Sequence, residues 1–156
     1  MKLAIVGYGR MGKMVESLAP EYGFEVVARI DAGGDLAEAR SADVAVEFTT
    51  PEVALSNIEA LAALRVPVVC GTTGWFQHLD AARAAVERNA GALVYSPNFS
   101  VGVNVFAKLA ELAGSLLKDE PEYEAWAWEI HHSKKKDAPS GTLLKLVDAM
   151  RAAGYA

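Results

Sequence analysis

The sequence predicts an α/β fold, a doubly wound parallel sheet that passes into a second, incomplete α+β unit near residue 100. Three observations predict it. Short apolar runs recur through the first hundred residues, helix-favouring segments separate them, and the rhythm breaks after Tyr95. Apolar runs without polar alternation read as strands buried on both faces. Strands alternating with helices imply right-handed crossovers and parallel pairing.

The elements follow in order. Strands are expected at Leu3–Val6, Phe24–Ile30, Val44–Phe48, Val66–Cys70 and Ala92–Tyr95. Between them come helices at Met11–Pro20, a short piece at Asp35–Arg40, then Pro51–Leu64 and His78–Asn89. Thr50 and Pro51 suit the N-cap and first helical position, and Gly91 suits a C-terminal stop. Beyond Tyr95, Val101–Leu117 reads as a long amphipathic helix. Glu122–Ile130 alternates, with Trp126, Trp128 and Ile130 on one face, which predicts a half-buried strand. A polar loop spans His131–Pro139. Leu143, Leu146, Val147 and Met150 then mark a closing helix by their spacing. One strand has nothing of its own to pair with, so it either joins the first sheet or belongs to an incomplete unit.

Composition narrows the function. The chain has 156 residues, 52% of them apolar, enough for one complete core and too few for two full-sized domains. Fifteen Lys and Arg against 20 Asp and Glu give a net charge of −5, which argues against a general nucleic-acid-binding surface. The single cysteine, Cys70, excludes an intramolecular disulfide and a multi-cysteine zinc site. No run approaches the roughly 18 apolar residues of a membrane span. A cytoplasmic protein without nucleic-acid, membrane or metal partners is expected.

Gly7-Tyr8-Gly9-Arg10-Met11-Gly12 is a GxGxxG that follows a predicted strand and opens a predicted helix. Asp31 closes the next strand, roughly 20 residues on, which completes a dinucleotide fingerprint of the Rossmann type. The first glycine makes the turn, the second admits a pyrophosphate, and the third lets helix and strand pack closely. The bland alternative is a structural turn with no ligand. Asp31 favours ribose hydroxyls over a 2′-phosphate, and hence NADH slightly over NADPH, although Arg10 and Arg29 lie near enough in sequence to soften that preference.

Cys70-Gly71-Thr72-Thr73-Gly74 ends the fourth strand and Ser96-Pro97-Asn98-Phe99 the fifth. Both occupy the sheet edge where open α/β proteins bind ligands. The first reads equally as a tight turn before the next helix. His131 and His132 precede Ser133-Lys134-Lys135-Lys136-Asp137-Ala138-Pro139 and then Ser140-Gly141-Thr142. A solvated cationic loop is the bland reading. Imidazoles beside lysines, followed by a helix N-terminus, suit proton transfer to an anionic substrate.

These motifs, in this order, resemble the 4-hydroxy-tetrahydrodipicolinate (dihydrodipicolinate) reductase family of the diaminopimelate route to lysine, over residues 2 to about 150. The resemblance implies an NAD(P)H-dependent reductase acting on a small dicarboxylate. It implies His131 as acid/base and Lys135 as proton donor, with His132, Ser140, Gly141 and Thr142 at the substrate. Gly7 to Gly12, Asp31, Gly71 to Thr73 and Ser96 to Phe99 fall to the cofactor. Residues 1–100 would be the Rossmann domain and 101–156 the start of a substrate and oligomerisation domain, within a homotetramer for the complete protein. Two departures stand out. Asp31 is followed by Ala32 rather than the arginine some members carry, and members continue well past the last helix, so the chain reads as C-terminally truncated. Other readings are a dinucleotide-binding module without catalysis and a dehydrogenase of another amino-acid precursor.

Overall fold

The computed structural model describes residues 1–131 and 139–155. Its backbone clusters into two compact units, Met1–Pro97 and Asn98–Ala156.

In the first unit, β1 (Lys2–Val6), β2 (Glu25–Ile30), β3 (Val44–Glu47), β4 (Val68–Cys70) and β5 (Leu93–Tyr95) form one sheet in the order β2-β1-β3-β4-β5. Every pairing is parallel. Alternation along β1 shows why these runs are apolar throughout. Leu3 and Ile5 face one layer with Ala19, while Ala4 and Val6 face the other with Ile58, Leu61 and Trp75. With both faces covered, a polar residue on either would be desolvated.

The helices are α1 (Arg10–Leu18), α2 (Pro51–Ala63) and α3 (Leu79–Arg88). The first stops before Pro20, which falls in a short 3₁₀ turn over Ala19–Tyr22. The piece expected at Asp35–Arg40 is a 3₁₀ helix over Leu36–Ser41, opened by the Asp35 side chain accepting from Ala37 N at 2.8 Å. Thr50 holds the N-cap position of α2, but its side chain caps no amide. Gly91 does not make the left-handed stop after α3. Ala90 takes that conformation, at φ +51°, and Gly91 N closes the turn on Val86 O at 2.9 Å. The chain tolerates the Cβ there because this closing bond offsets the conformational cost.

Among its described residues, the second unit's regular structure is helical. It holds α4 (Val101–Leu117) and α5 (Gly141–Ala152), capped by Ser100 and Ser140, whose hydroxyls accept from Val103 N and Leu143 N. The helices approach closely at Gly114, where an added Cβ would lie 3.0 Å from Met150 Cα. Lys145 Nζ donates across them to Asn104 Oδ1 at 2.6 Å. The strand expected at Glu122–Ile130 does not form: among the described residues, 122–130 pair with no other strand. Alternation supplies only one amphipathic edge; a strand also needs a hydrogen-bonded neighbour. Accordingly Trp126, Trp128 and Ile130, expected to be half buried, are 79%, 67% and 78% exposed.

Candidate functional site

In the order β2-β1-β3-β4-β5 the connections reverse direction between β1 and β3. Doubly wound sheets bind ligands at such a point, because the departing loops diverge and leave a crevice. A cavity of about 380 Å³ lies there. Gly7, Gly9 and Asp31 line one side, and Thr49, Val53 and Asn57 line another.

The GxGxxG loop has three distinct local geometries. Gly7 sits at φ +92°, and an added Cβ would fall 2.1 Å from Phe48 O. Gly12 is packed so closely that its Cβ would lie 2.3 Å from Gly7 O. A Cβ at Gly9 would meet nothing within 4 Å, so the absence of a side chain there leaves open space beside the cavity. Gly9 is also the N-cap of α1 and offers no side chain to the helix's first amides. Those amides and the positive dipole end suit a phosphate group.

Other residues of the loop face elsewhere. Tyr8 donates its hydroxyl to Glu16, which also accepts from Arg29 Nε. The bonds from Arg29 and then Tyr8 hold the Glu16 carboxyl below its ordinary range, and Glu16 in turn raises the Tyr8 phenol. Arg29 is thus engaged on the α1 side of the sheet. Arg10 and Met11 are exposed on the first turn of α1 and do not line the cavity.

The two later rim segments also lie outside the cavity lining. Thr72 is buried, and its hydroxyl accepts from Thr49 N at 2.8 Å while its carbonyl accepts from Trp75 Nε1 at 2.9 Å. Gly71 is partly buried and Thr73 exposed. Ser96 and Pro97 close the first unit; Asn98 and Phe99 open the second, where Asn98 Oδ1 accepts from Ser100 N at 2.8 Å. Sequence reasoning missed Thr49 and Asn57. The rule applied to the ends of the fourth and fifth strands, extended to Glu47-Phe48-Thr49 at the end of the third, would have found the first of them.

A second cluster lies in the other unit. Glu129 Oε1 accepts from Ser140 N at 2.7 Å, and its other oxygen accepts from the Ser140 hydroxyl. His131 Nε2 lies 2.9 Å from Glu129 Oε2. One carboxylate therefore ties His131 to the start of α5, where Gly141 and Thr142 present first-turn amides. His132 and Lys135 lie outside the described residues. Glu129 was not foreseen, although it stands two residues before His131. Hydrogen bonds, first from Ser140 and then from His131, hold its carboxyl down at about 2. A lowered carboxyl stabilises the folded form above the ordinary carboxylate range, and that contribution is lost as the pH falls toward 2. In thermal melts from pH 6 down to pH 2, the stability advantage of wild type over Glu129→Gln is expected to shrink steadily. An advantage independent of pH would show that the clamp is not ionic.

A parallel doubly wound sheet, with a glycine loop and an acidic residue flanking a crevice at its switch point, defines a Rossmann-type α/β protein. A family described as "Dihydrodipicolinate reductase, N-terminus" matches residues 1–99, and its companion, "Dihydrodipicolinate reductase, C-terminus", matches residues 102–154. The chain belongs to the dihydrodipicolinate reductase family. Among its relatives is the 4-hydroxy-tetrahydrodipicolinate reductase of Christiangramia forsetii, 36% identical over 94% of this chain and 62% of that protein. The protein of the same name from Archaeoglobus fulgidus is 39% identical over 97% of this chain and 65% of its own length. The chain thus spans somewhat less than two thirds of these relatives. A dipicolinate-bound dihydrodipicolinate reductase from Paenisporosarcina sp. TG-14 shares the fold, with a TM-score of 0.78 and 22% identity over 98% of this chain and 66% of that one. Among the described residues no helix is long and apolar enough to cross a membrane.

Proposed function

We propose that this chain carries the dinucleotide-binding domain, residues 1–100, and the opening of the substrate domain, residues 101–156, of a cytoplasmic 4-hydroxy-tetrahydrodipicolinate reductase. The observation that carries this reading is the switch-point cavity, bordered by the glycine loop and Asp31, in a chain whose two segments both match the family. The residues fit the cofactor: Gly9 leaves room at the N-terminus of α1, and Asp31 offers a carboxylate for ribose hydroxyls. NADH or NADPH, when bound, supplies the hydride. His131 acts as acid/base, Lys135 donates a proton, and Ser140, Gly141 and Thr142 hold a substrate carboxylate with His132. Glu129 holds His131 in place against the helix that binds the substrate. Assayed with the product of the preceding synthase, the protein should oxidise NAD(P)H only when that product is present. No oxidation, or oxidation undiminished by Lys135→Ala, would sink the proposal.

NADH is the preferred cofactor in this reading. Arg29, which could have neutralised Asp31, is bonded to Glu16. A carboxylate about 4 Å from a 2′-phosphate is repelled by roughly 1 kcal/mol per unit charge in water, and more where water is partly excluded. Fluorescence titration should therefore give about tenfold tighter binding of NADH than NADPH, since about 1.4 kcal/mol is one decade. Asp31→Ala should bring the two close to equality. Equal affinities in the wild type, unchanged by the substitution, would show that Asp31 does not read the ribose.

A further inference from the structure

Glu47, the last residue of β3, is a fully buried carboxylate, 0% exposed. None of the ion pairs among the described residues includes it. Its partners are neutral donors. Oε1 accepts from the Thr49 hydroxyl and from Asn57 Nδ2 at 3.3 Å, and Oε2 accepts from the Cys70 thiol at 2.9 Å. The thiol is itself pushed up to about 12, by burial first and then by Glu47, so it stays protonated as a donor. Burying a carboxylate without a counter-charge is costly, and an apolar residue would fill the sheet layer at lower cost.

Oε1 accepts from both the Thr49 hydroxyl and the Asn57 amide, so each of these groups turns a hydrogen toward Glu47. The Asn57 amide is thereby fixed: Nδ2 points at Glu47 and, at 3.2 Å, also donates to Thr49 Oγ1. Its carbonyl oxygen is then the polar atom left for the cavity that Asn57 lines. The Thr49 hydroxyl has likewise given its hydrogen to Glu47. With Asp31 across the cavity, this wall offers acceptors and asks the ligand for donors.

We propose that Glu47 is a positioning residue that sets the hydrogen-bond polarity of the pocket, orienting Asn57 to accept from the exocyclic amino group of an adenine base. The proposal rests on reading the cavity as the dinucleotide site. A purine with a carbonyl in place of that amino group meets an acceptor with an acceptor, and binds less well.

The test compares NADH with its hypoxanthine analogue, deamino-NADH, by fluorescence titration of the full chain. Wild type should prefer NADH by about fivefold, the worth of one neutral hydrogen bond. Glu47→Gln, close in shape but able to donate, lets the amide turn over and should bring the ratio to about twofold or less. Asn57→Leu should do the same with Glu47 intact, and it decides the matter if Glu47→Gln does not fold. A purely structural role for Glu47 would lower the melting temperature and leave the ratio unchanged, which would overturn the proposal. Equal binding of the two dinucleotides by the wild type would also overturn it while leaving the dinucleotide site standing. Binding of neither would overturn both.

Discussion

Gly7→Ala is expected to destabilise the first unit by about 3–5 kcal/mol, a large share of the roughly 5–15 kcal/mol that holds a domain folded. Two independent penalties combine. Gly7 lies at φ +92°, where a Cβ is strained whatever the space around it. That Cβ would also sit 2.1 Å from Phe48 O and 2.5 Å from Phe48 C. Neither atom is free to retreat, because Phe48 N is bonded to Val6 O at 2.8 Å and Gly7 N to Ile30 O at 2.8 Å. Relief at Gly7 would therefore separate the carboxyl ends of three adjacent strands, β2, β1 and β3. Urea denaturation should show a large fall in midpoint at an unchanged slope. Gly9→Ala is the informative contrast. Its Cβ meets nothing within 4 Å, so stability should change by less than about 1 kcal/mol. NADH binding should nonetheless weaken, because the methyl group occupies the space beside the α1 amides. A Gly7→Ala protein with the wild-type midpoint would contradict the account of the turn.

His131→Ala is expected to lower kcat by roughly 10²–10⁴-fold, the range for removing a general acid or base. NADH affinity should be unaffected, because the cavity is built wholly from residues of the first unit. The same division of effects is expected for Lys135→Ala. Glu129→Gln should lower kcat less than His131→Ala, since it leaves the imidazole present while removing the carboxylate 2.9 Å from Nε2. Rescue by Glu129→Asp would favour positioning over charge alone. Turnover within tenfold of wild type after removal of His131 would end its assignment as the acid/base group.

The sequence by itself determined whatever a local pattern can encode. Buried parallel strands are apolar on both faces, so Leu3–Val6 and Val66–Cys70 could be read without knowing their neighbours, and all five observed strands fall within two residues of the expected ends. The Gly7–Gly12 spacing fixed a turn, a close approach and a helix start, because each depends on backbone sterics within six residues. α4 matched its expected span of Val101–Leu117, since seventeen residues of periodic apolar pattern are hard to misread. Tertiary structure decided everything that needed a partner distant in sequence. Residues 122–130 have the alternation of a strand but no pairing, and pairing is the larger part of what makes a strand. Glu16 takes Arg29 away from Asp31 across 13 positions of chain, a contact no local pattern announces. Thr49 and Asn57 became a pocket wall because β3 lies beside β1. Glu47, an ordinary strand-end residue in the sequence, became a buried acceptor only when β4 brought Cys70 against it. Local sterics and periodic burial are written in neighbouring residues; hydrogen-bond partners and the electrostatics of a site are properties of the assembled sheet.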